Sequence, residues 1–381
     1  MKILIQIKRL LWTLRHTISP FRENPVEQAL YLQTEQENPY ALFRGYFDCI
    51  ECQQDELQVS GWMISPRGPY ESIILSVNDT PHTQYQVIER PDVAAQLSRI
   101  PDSLHCGFSF RVPLSDEERQ GVISIRVSGL IRQEEKAHME TLFHCSLFQD
   151  LPAPPVELIC RVDGTPDGRF YLLKGFQNYG EYWKLMQKHC DISSINTLLD
   201  WGCGSGRLTG FFLNYSGIPE VHGCDIDPEA IAWCRQHLPQ GNFVVIPPYP
   251  PTQYQNSIFD AIVSFSVFTH LPEEVQFQWL AEMQRILKPG GCFITTIHGK
   301  TAARTILTHD DYQVILEKGI FDHIRDNHLE GVAPKDYYRA VFHSREYVMN
   351  TWTRFFEIVD YIEHGASNYH DIVVMKRRRG N

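Results

Sequence analysis

The sequence predicts an α/β domain with a mostly parallel sheet covered by helices on both faces, preceded by a small all-β sandwich domain. Three observations carry this. Between residues 40 and 148, short runs of alternating apolar residues are separated by turn residues, as in Ile73, Leu75 and Val77, or Phe108, Phe110 and Val112. Between residues 200 and 298, buried strand-like runs alternate with helical ones, as a parallel sheet requires. Between them, residues 149–156 hold Pro152, Pro154 and Pro155, a stiff linker. A chain of 381 residues has room for both domains.

In chain order, residues 1–20 come first. Ile3, Leu4, Ile7, Leu10, Leu11, Leu14 and Ile18 repeat on one face of an amphipathic helix, flanked by Lys8 and Arg15 and stopped by Pro20. Two readings stay open. The helix packs on its own protein or a second subunit, or it lies on a membrane with cations at the headgroups. Residues 21–39 are polar and link. In the β domain, Asn78-Asp79 supplies turn chemistry after Val77. Arg90 to Ala95 reads as one helical turn opened by Pro91 and Asp92. Ile123, Ile125 and Val127 alternate up to Ser128-Gly129, and Thr141 to Leu147 reads as the last strand.

Bulk properties exclude several classes. A net charge of −11 argues against nucleic acid as a partner. Residues 1–20 and 376–379 each carry +4 with no acid, so the middle carries −19. The ten scattered cysteines and the absence of a secretory pattern imply reduced thiols and a cytoplasmic protein. Cys49-x-x-Cys52 lacks a second ligand pair beyond a chance approach of His105-Cys106, so no metal site is expected. Without ~18 consecutive uncharged apolar residues, no membrane span is expected.

The most informative stretch is Leu198 to Arg207. Two leucines end a buried strand, Asp200 closes it, and Gly202, Gly204 and Gly206 follow, with a helical run from Leu208 to Tyr215. Glycines allow a tight turn and close approach of a ligand to backbone, and the following helix offers N–H groups to a negative group. A dinucleotide fingerprint would need glycine at position 207, where Arg207 stands. Further on, Val221 to Asp227 reads as a second strand ending in acid. Its Asp225 lies 25 residues after Asp200, near the offset at which a carboxylate meets a ribose diol. Asp227 suits an N-cap before Pro228, and Phe259 to Phe265 reads as another buried strand.

Leu198 to Arg207 resembles the first motif of class I S-adenosylmethionine-dependent methyltransferases. Arg285 to Gly291, before a strand from Cys292 to His298, resembles the helix-to-turn segment of the same family. The resemblance covers roughly residues 170–381 and makes 157–381 the methyltransferase domain. It implies a Rossmann-like seven-stranded sheet with an antiparallel last strand, here the hairpin of Phe355 to Tyr361 and Asp371 to Met375. It implies S-adenosyl-L-methionine as cofactor. Asp200, Gly202, Cys203, Gly204, Ser205 and Gly206 would meet its methionine end, Asp225 its ribose, with Ile226 and Ser266 beside it. A leading helix around Gly180 to Met186 would help close the site. Tyr179, Tyr182 or Trp183 would face the sulfonium or pack in the core. One departure stands out. After the third strand, Phe243 to Ile246, the family often has an acid for the adenine amino group, and here the chain reads Pro247-Pro248-Tyr249-Pro250-Pro251.

Methyl transfer to an oxygen needs positioning and removal of a proton, a task that suits histidine. His270 and His298 follow the fourth and fifth strands, whose carboxyl ends line the crevice of such a sheet. Each is either a catalytic base or a structural contact. Tyr337, Tyr338, His343 and His370 are looser candidates. The mixed segment 301–343, helical over Tyr312 to Gly319, lies where the family builds substrate contacts.

Gly61-Trp62, Val77-Asn78-Asp79, Arg90-Pro91-Asp92-Val93 and Cys106-Gly107-Phe108 are similar to a β-sandwich domain found beside bacterial glycosyltransferases and methyltransferases. This association points to a sugar acceptor in surface-glycan biosynthesis, with the basic ends 1–20 and 376–379 as contacts to the inner face of a membrane. A structural or dimerisation role for the β domain stays open. So do another small-molecule or peptide acceptor, an inactive cofactor-binding scaffold, and a nicotinamide oxidoreductase.

Overall fold

A computed structural model describes residues 44–53, 55–97, 100–146, 151–163, 167–326, 329, 331–367 and 369–379. The amphipathic pattern at 1–20 and the link at 21–39 lie outside the described residues. The chain divides into two compact units after Leu151.

The first unit is built from β1 (Arg44–Gln53), β2 (Glu56–Ile64), β3 (Ser72–Val77), β4 (Thr80–His82), β5 (Gln86–Ile88), helix α1 (Pro91–Gln96), β6 (Gly107–Pro113), α2 (Asp116–Gln120), β7 (Val122–Ile131) and β8 (Glu134–His144). The strands form two antiparallel four-stranded sheets, ordered β1-β2-β6-β5 and β4-β3-β7-β8. The alternating residues Leu75, Val77, Phe108, Phe110, Ile125 and Val127 are all buried. Asn78 and Asp79 have φ of 47° and 67°, the left-handed pair that a two-residue hairpin turn demands. Ser128-Gly129 does not end β7. That strand runs on to Ile131 and turns at Arg132-Gln133, while Gly129 stays inside it because a Cβ there would meet the Tyr70 ring at 2.5 Å.

The second unit opens with α3 (Val156–Asp163), which begins at the last position of the predicted linker, and α4 (Gly168–His189), capped by the Asp167 carboxylate. Then come β9 (Thr197–Trp201), α5 (Thr209–Tyr215), β10 (Glu220–Asp225), α6 (Pro228–His237), β11 (Asn242–Val245), β12 (Phe259–Ser264), α7 (Glu273–Ile286) and β13 (Leu287–Ile297). After them stand α8 (Lys300–Ile306), α9 (His309–Lys318), β14 (Ile320–Arg325), β15 (Arg339–His343), α10 (Arg345–Thr351), β16 (Glu357–Ala366) and β17 (His370–Lys376).

Seven of these strands form one sheet ordered β11-β10-β9-β12-β13-β17-β16. Pairings among the first five are parallel, and β17 is antiparallel to both β13 and β16. The order reverses between β9 and β12, which opens a crevice at their carboxyl ends. Leu199, Ile262, Phe293 and Val373 are buried along with Trp279 and Trp352 in one apolar core. Segment 285–291 departs from the expected helix-to-turn form, because α7 stops at Ile286 and residues 287–291 already belong to β13.

Part of the basic C-terminal run bonds within its own unit. Lys376 pairs in β17 opposite Cys292. Arg377 donates to the Leu287 and Arg285 carbonyls and to Ser257 Oγ, and Arg378 to the Thr353 and Phe356 carbonyls. No described helix is long and apolar enough to cross a membrane.

Candidate active site at the carboxyl ends of the sheet

The turn after β9 takes its shape from three glycines. Gly202, Gly204 and Gly206 have φ of 75°, 53° and 79°, values that a side chain rarely adopts. A Cβ at Gly202 would stand 2.3 Å from Val267 Cγ2, and one at Gly206 would stand 2.6 Å from Leu238 Cδ1. The turn is tied to the next strand, since the amides of Gly202 and Cys203 both donate to the Cys224 carbonyl.

Asp225, at the end of β10, is the hinge of the site. Its Oδ2 accepts from the Gly204 amide at 2.8 Å and its Oδ1 from the Asp227 amide at 2.9 Å. Burial raises its pKa, and these two amides pull it back down. Each carboxylate oxygen keeps a second lone pair for a diol. Asp227 caps α6 through the Glu229 and Ala230 amides, and its other oxygen takes Arg161 Nη1 at 2.7 Å. Arg161 also reaches Glu229, so α3 is pinned beside the glycine turn, with Val162 against Gly204.

Asp200, Cys203 and Ser205 turn their side chains inward. Asp200 is 1% exposed, accepts from the Thr209 hydroxyl at 2.6 Å, and burial raises its pKa to about 7. Ser205 meets the Tyr171 hydroxyl at 2.8 Å, and the Cys203 thiol lies near the Gly204 carbonyl. These three brace the turn through their side chains, and any contact they make with a ligand runs through backbone. Ile226 packs against the core, half-buried. Ser266, at φ 59°, holds the turn after β12 through Thr296 and Thr269. Thr209, Tyr171 and Arg161 were not legible as site residues, because their partners lie in other elements.

The proline-rich loop after β11 is fixed from outside. Trp279 Nε1 donates to the Pro248 carbonyl at 3.2 Å, the Tyr337 hydroxyl donates to the same oxygen, and Tyr249 stands edge-on to Tyr337. In α4, Tyr179 sits in an aromatic cluster with Phe176, Phe211 and Phe212, whereas the Tyr182 hydroxyl reaches the Ser264 carbonyl at the end of β12.

Both candidate histidines lie at this face, in different roles. His270 Nδ1 lies 3.0 Å from the Arg339 carbonyl, and its ring stacks on Tyr338 at 4.1 Å. The amides of Arg339 and Val341 donate back to the His270 and Thr269 carbonyls. His270 therefore fastens the β14–β15 hairpin over the crevice. His298 follows β13 and is 7% exposed. Its Nδ1 lies 3.2 Å from the Val341 carbonyl, which can only accept, so the proton is assigned to Nδ1 and Nε2 carries the lone pair. The ring stacks between Phe342 and His370. Burial, then His370, His270 and His343, hold its pKa well below the usual histidine value, so it is neutral. His343 Nε2 lies 3.0 Å from Gln276 Oε1.

A glycine turn at a topological switch point, with a clamped carboxylate on the next strand, defines an α/β enzyme unit that holds an adenosyl group. The residues fit that group: the turn is bare of side chains where backbone must approach it, and Asp225 is positioned for a ribose. Residues 198–291 match a family model described as a methyltransferase domain. Over that stretch the second unit is therefore similar to methyltransferase domains. Among solved structures, a Methanosarcina mazei S-adenosylmethionine-dependent methyltransferase is similar at 19% identity over 51% of this chain and 98% of its own, with a TM-score of 0.38. The PH0226 protein of Pyrococcus horikoshii is 21% identical over 51% and 86%, with a TM-score of 0.36. The Burkholderia thailandensis 1,6-didemethyltoxoflavin-N1-methyltransferase, solved with S-adenosylhomocysteine, is 15% identical over 66% and 96%, with a TM-score of 0.39.

Proposed function

We propose that this protein methylates a hydroxyl group of a sugar in surface-glycan biosynthesis. The observation that carries the reading is His298: a buried, neutral imidazole whose Nδ1–H is held by the Val341 carbonyl, with its Nε2 lone pair at the carboxyl end of β13. S-adenosylmethionine supplies an activated methyl group on a cationic sulfur when bound. His298 Nε2 accepts the hydroxyl's hydrogen bond, orients the oxygen and takes its proton as the new bond forms. Its low pKa keeps it in the accepting form throughout the neutral range. The β14–β15 hairpin, fastened by His270, excludes water above it. The similarity of the first unit to domains beside glycosyltransferases supports a sugar. Contact with an anionic membrane surface would fall to the basic residues of 1–20 and 376–379.

The test is turnover by the full chain with S-adenosylmethionine on sugar nucleotides, lipid-linked sugars, peptides and small phenols. Methylation of a sugar is expected. Turnover on a phenol or peptide with none on any sugar would overturn the acceptor, and no turnover on the whole panel would favour a cofactor-binding scaffold.

A further inference from the structure

We propose that Gln276, buried on α7, is a positioning residue for methyl transfer: together with His343 it sets the place and the tautomer of His298. This rests on the reading of His298 as the proton acceptor and adds the group through which that ring is held.

Gln276 lies early in α7 and is 0% exposed. Its Nε2 donates to the Leu271 carbonyl at 2.8 Å and to the Phe268 carbonyl at 3.3 Å. Carbonyls only accept, so these two contacts assign the orientation of the amide. Its Oε1 then faces His343 Nε2 at 3.0 Å. An amide oxygen also only accepts, so His343 carries its proton on Nε2. The lone pair is left on Nδ1, which is buried and has no hydrogen-bond partner among the described residues. Burial holds the His343 pKa down to about 3, so the ring stays neutral. One side chain thus fastens two segments, residues 268–271 before α7 and the end of β15.

Those two segments are the ones that hold His298. The Val341 amide donates to the Thr269 carbonyl at 2.8 Å, and the Val341 carbonyl faces His298 Nδ1 at 3.2 Å. Two residues on, the His343 amide donates to the His298 carbonyl at 2.8 Å. β15 therefore stands as a spacer between residues 268–271 and His298, and the Gln276 amide fixes the spacing at its end. The surroundings are apolar: Phe268, Leu271 and Trp352 belong to the buried core, and Trp352 stands edge-on to His343 at 5.9 Å. In such a place each hydrogen bond is strong and an unmatched group is costly. Without Gln276, the anchor of β15 is lost and the Val341 carbonyl shifts from Nδ1. His298 then divides between its two tautomers, and only the Nδ1–H form offers an Nε2 lone pair to a hydroxyl.

The first arm of the test needs no acceptor. Long-range proton–nitrogen correlation spectra of the full chain report the tautomer of each histidine ring. Wild type should show His298 as Nδ1–H and His343 as Nε2–H. Gln276→Met, similar in length and without polar atoms, should move His298 to a mixture of both forms. His343→Leu should do the same, and it leaves Gln276 in place should the first variant fail to fold. His343→Gln, which returns an N–H close to the place of Nε2, should restore much of the wild-type pattern. The second arm measures turnover on the sugar that the acceptor panel identifies. Gln276→Met should lower kcat by ~10- to 100-fold, the cost of a small misplacement, with S-adenosylhomocysteine affinity nearly unchanged. In a His298→Gln chain the same substitution should cost less than ~2-fold more, because the ring it acts through is gone. A loss of stability alone would multiply in both chains. The inference is overturned if His298 keeps its Nδ1–H pattern in folded Gln276→Met and His343→Leu, or if the two turnover losses multiply. Native turnover of the His298→Gln chain would instead overturn the proton-acceptor reading, and the catalytic meaning of the linkage with it.

Discussion

Asp225→Asn separates the clamp from the ligand contact. In the native chain the two carboxylate oxygens accept from Gly204 and Asp227 at 2.8 and 2.9 Å. Asparagine retains one oxygen, and its NH2 group must face one of these two amides. The unmatched amide costs about 1–3 kcal/mol. That cost is partly offset, because burial disfavours the native charge and raises its pKa. Unfolding without ligand should therefore shift only modestly. Binding has no such offset: the ribose hydroxyls lose a charged acceptor, worth about 1.5–3 kcal/mol. At about 1.4 kcal/mol per tenfold, the dissociation constant for S-adenosylhomocysteine should rise by ~10- to 150-fold. Calorimetric titration beside a melting curve measures both. Native affinity in the variant would refute the ribose assignment. An equal loss of stability and affinity would mean that Asp225 serves only the turn.

Four further outcomes follow from the same geometry. His298→Gln should lower turnover by ~10²–10⁴-fold with cofactor affinity nearly unchanged, since the ring lies on the acceptor side; a parallel fall in cofactor affinity would contradict that placement. Asp200 has its folded pKa raised from 3.8 to about 7, so the folded state binds the proton more tightly and this contribution to stability falls as pH rises through that window. Asp200→Asn should then gain melting temperature relative to wild type between pH 4 and pH 8, and parallel pH curves would speak against a buried charge. Gly202→Ala should abolish S-adenosylhomocysteine binding, because its φ of 75° and the Val267 contact at 2.3 Å must both give way; retained binding in isothermal titration would show a tolerant turn. A chain starting at Pro152 should fold and bind S-adenosylhomocysteine, and insoluble or cofactor-blind protein would mean that the first unit completes the site.

Much of the second unit was legible because its signals are local. Glycines at every second position, an acid at the end of each of two strands and Asp227 before Pro228 act through backbone conformation and nearby amides, which chain neighbours largely dictate. The alternating residues of β3, β6 and β7 are equally local. The first two strands were harder to see, because Arg44–Gln53 and Glu56–Ile64 carry polar and charged residues among their apolar ones and become strands only by pairing. Side-chain direction was the other hidden quantity. Motif spacing placed Asp200, Cys203 and Ser205 at the turn, but only packing decided that Thr209 and Tyr171 would draw two of them inward. It could not separate His270 from His298 either, since both follow strands in the same way. The contacts that separate them come from β15, some 70 and 43 residues further along the chain. By itself, then, the sequence determined the sheet, the glycine turn and the acid that ends β10, all products of local backbone preference and hydrophobic period. Tertiary structure alone decided that His270 contacts the Arg339 carbonyl and His298 the Val341 carbonyl, because those partners lie far along the chain and meet these rings only in the fold.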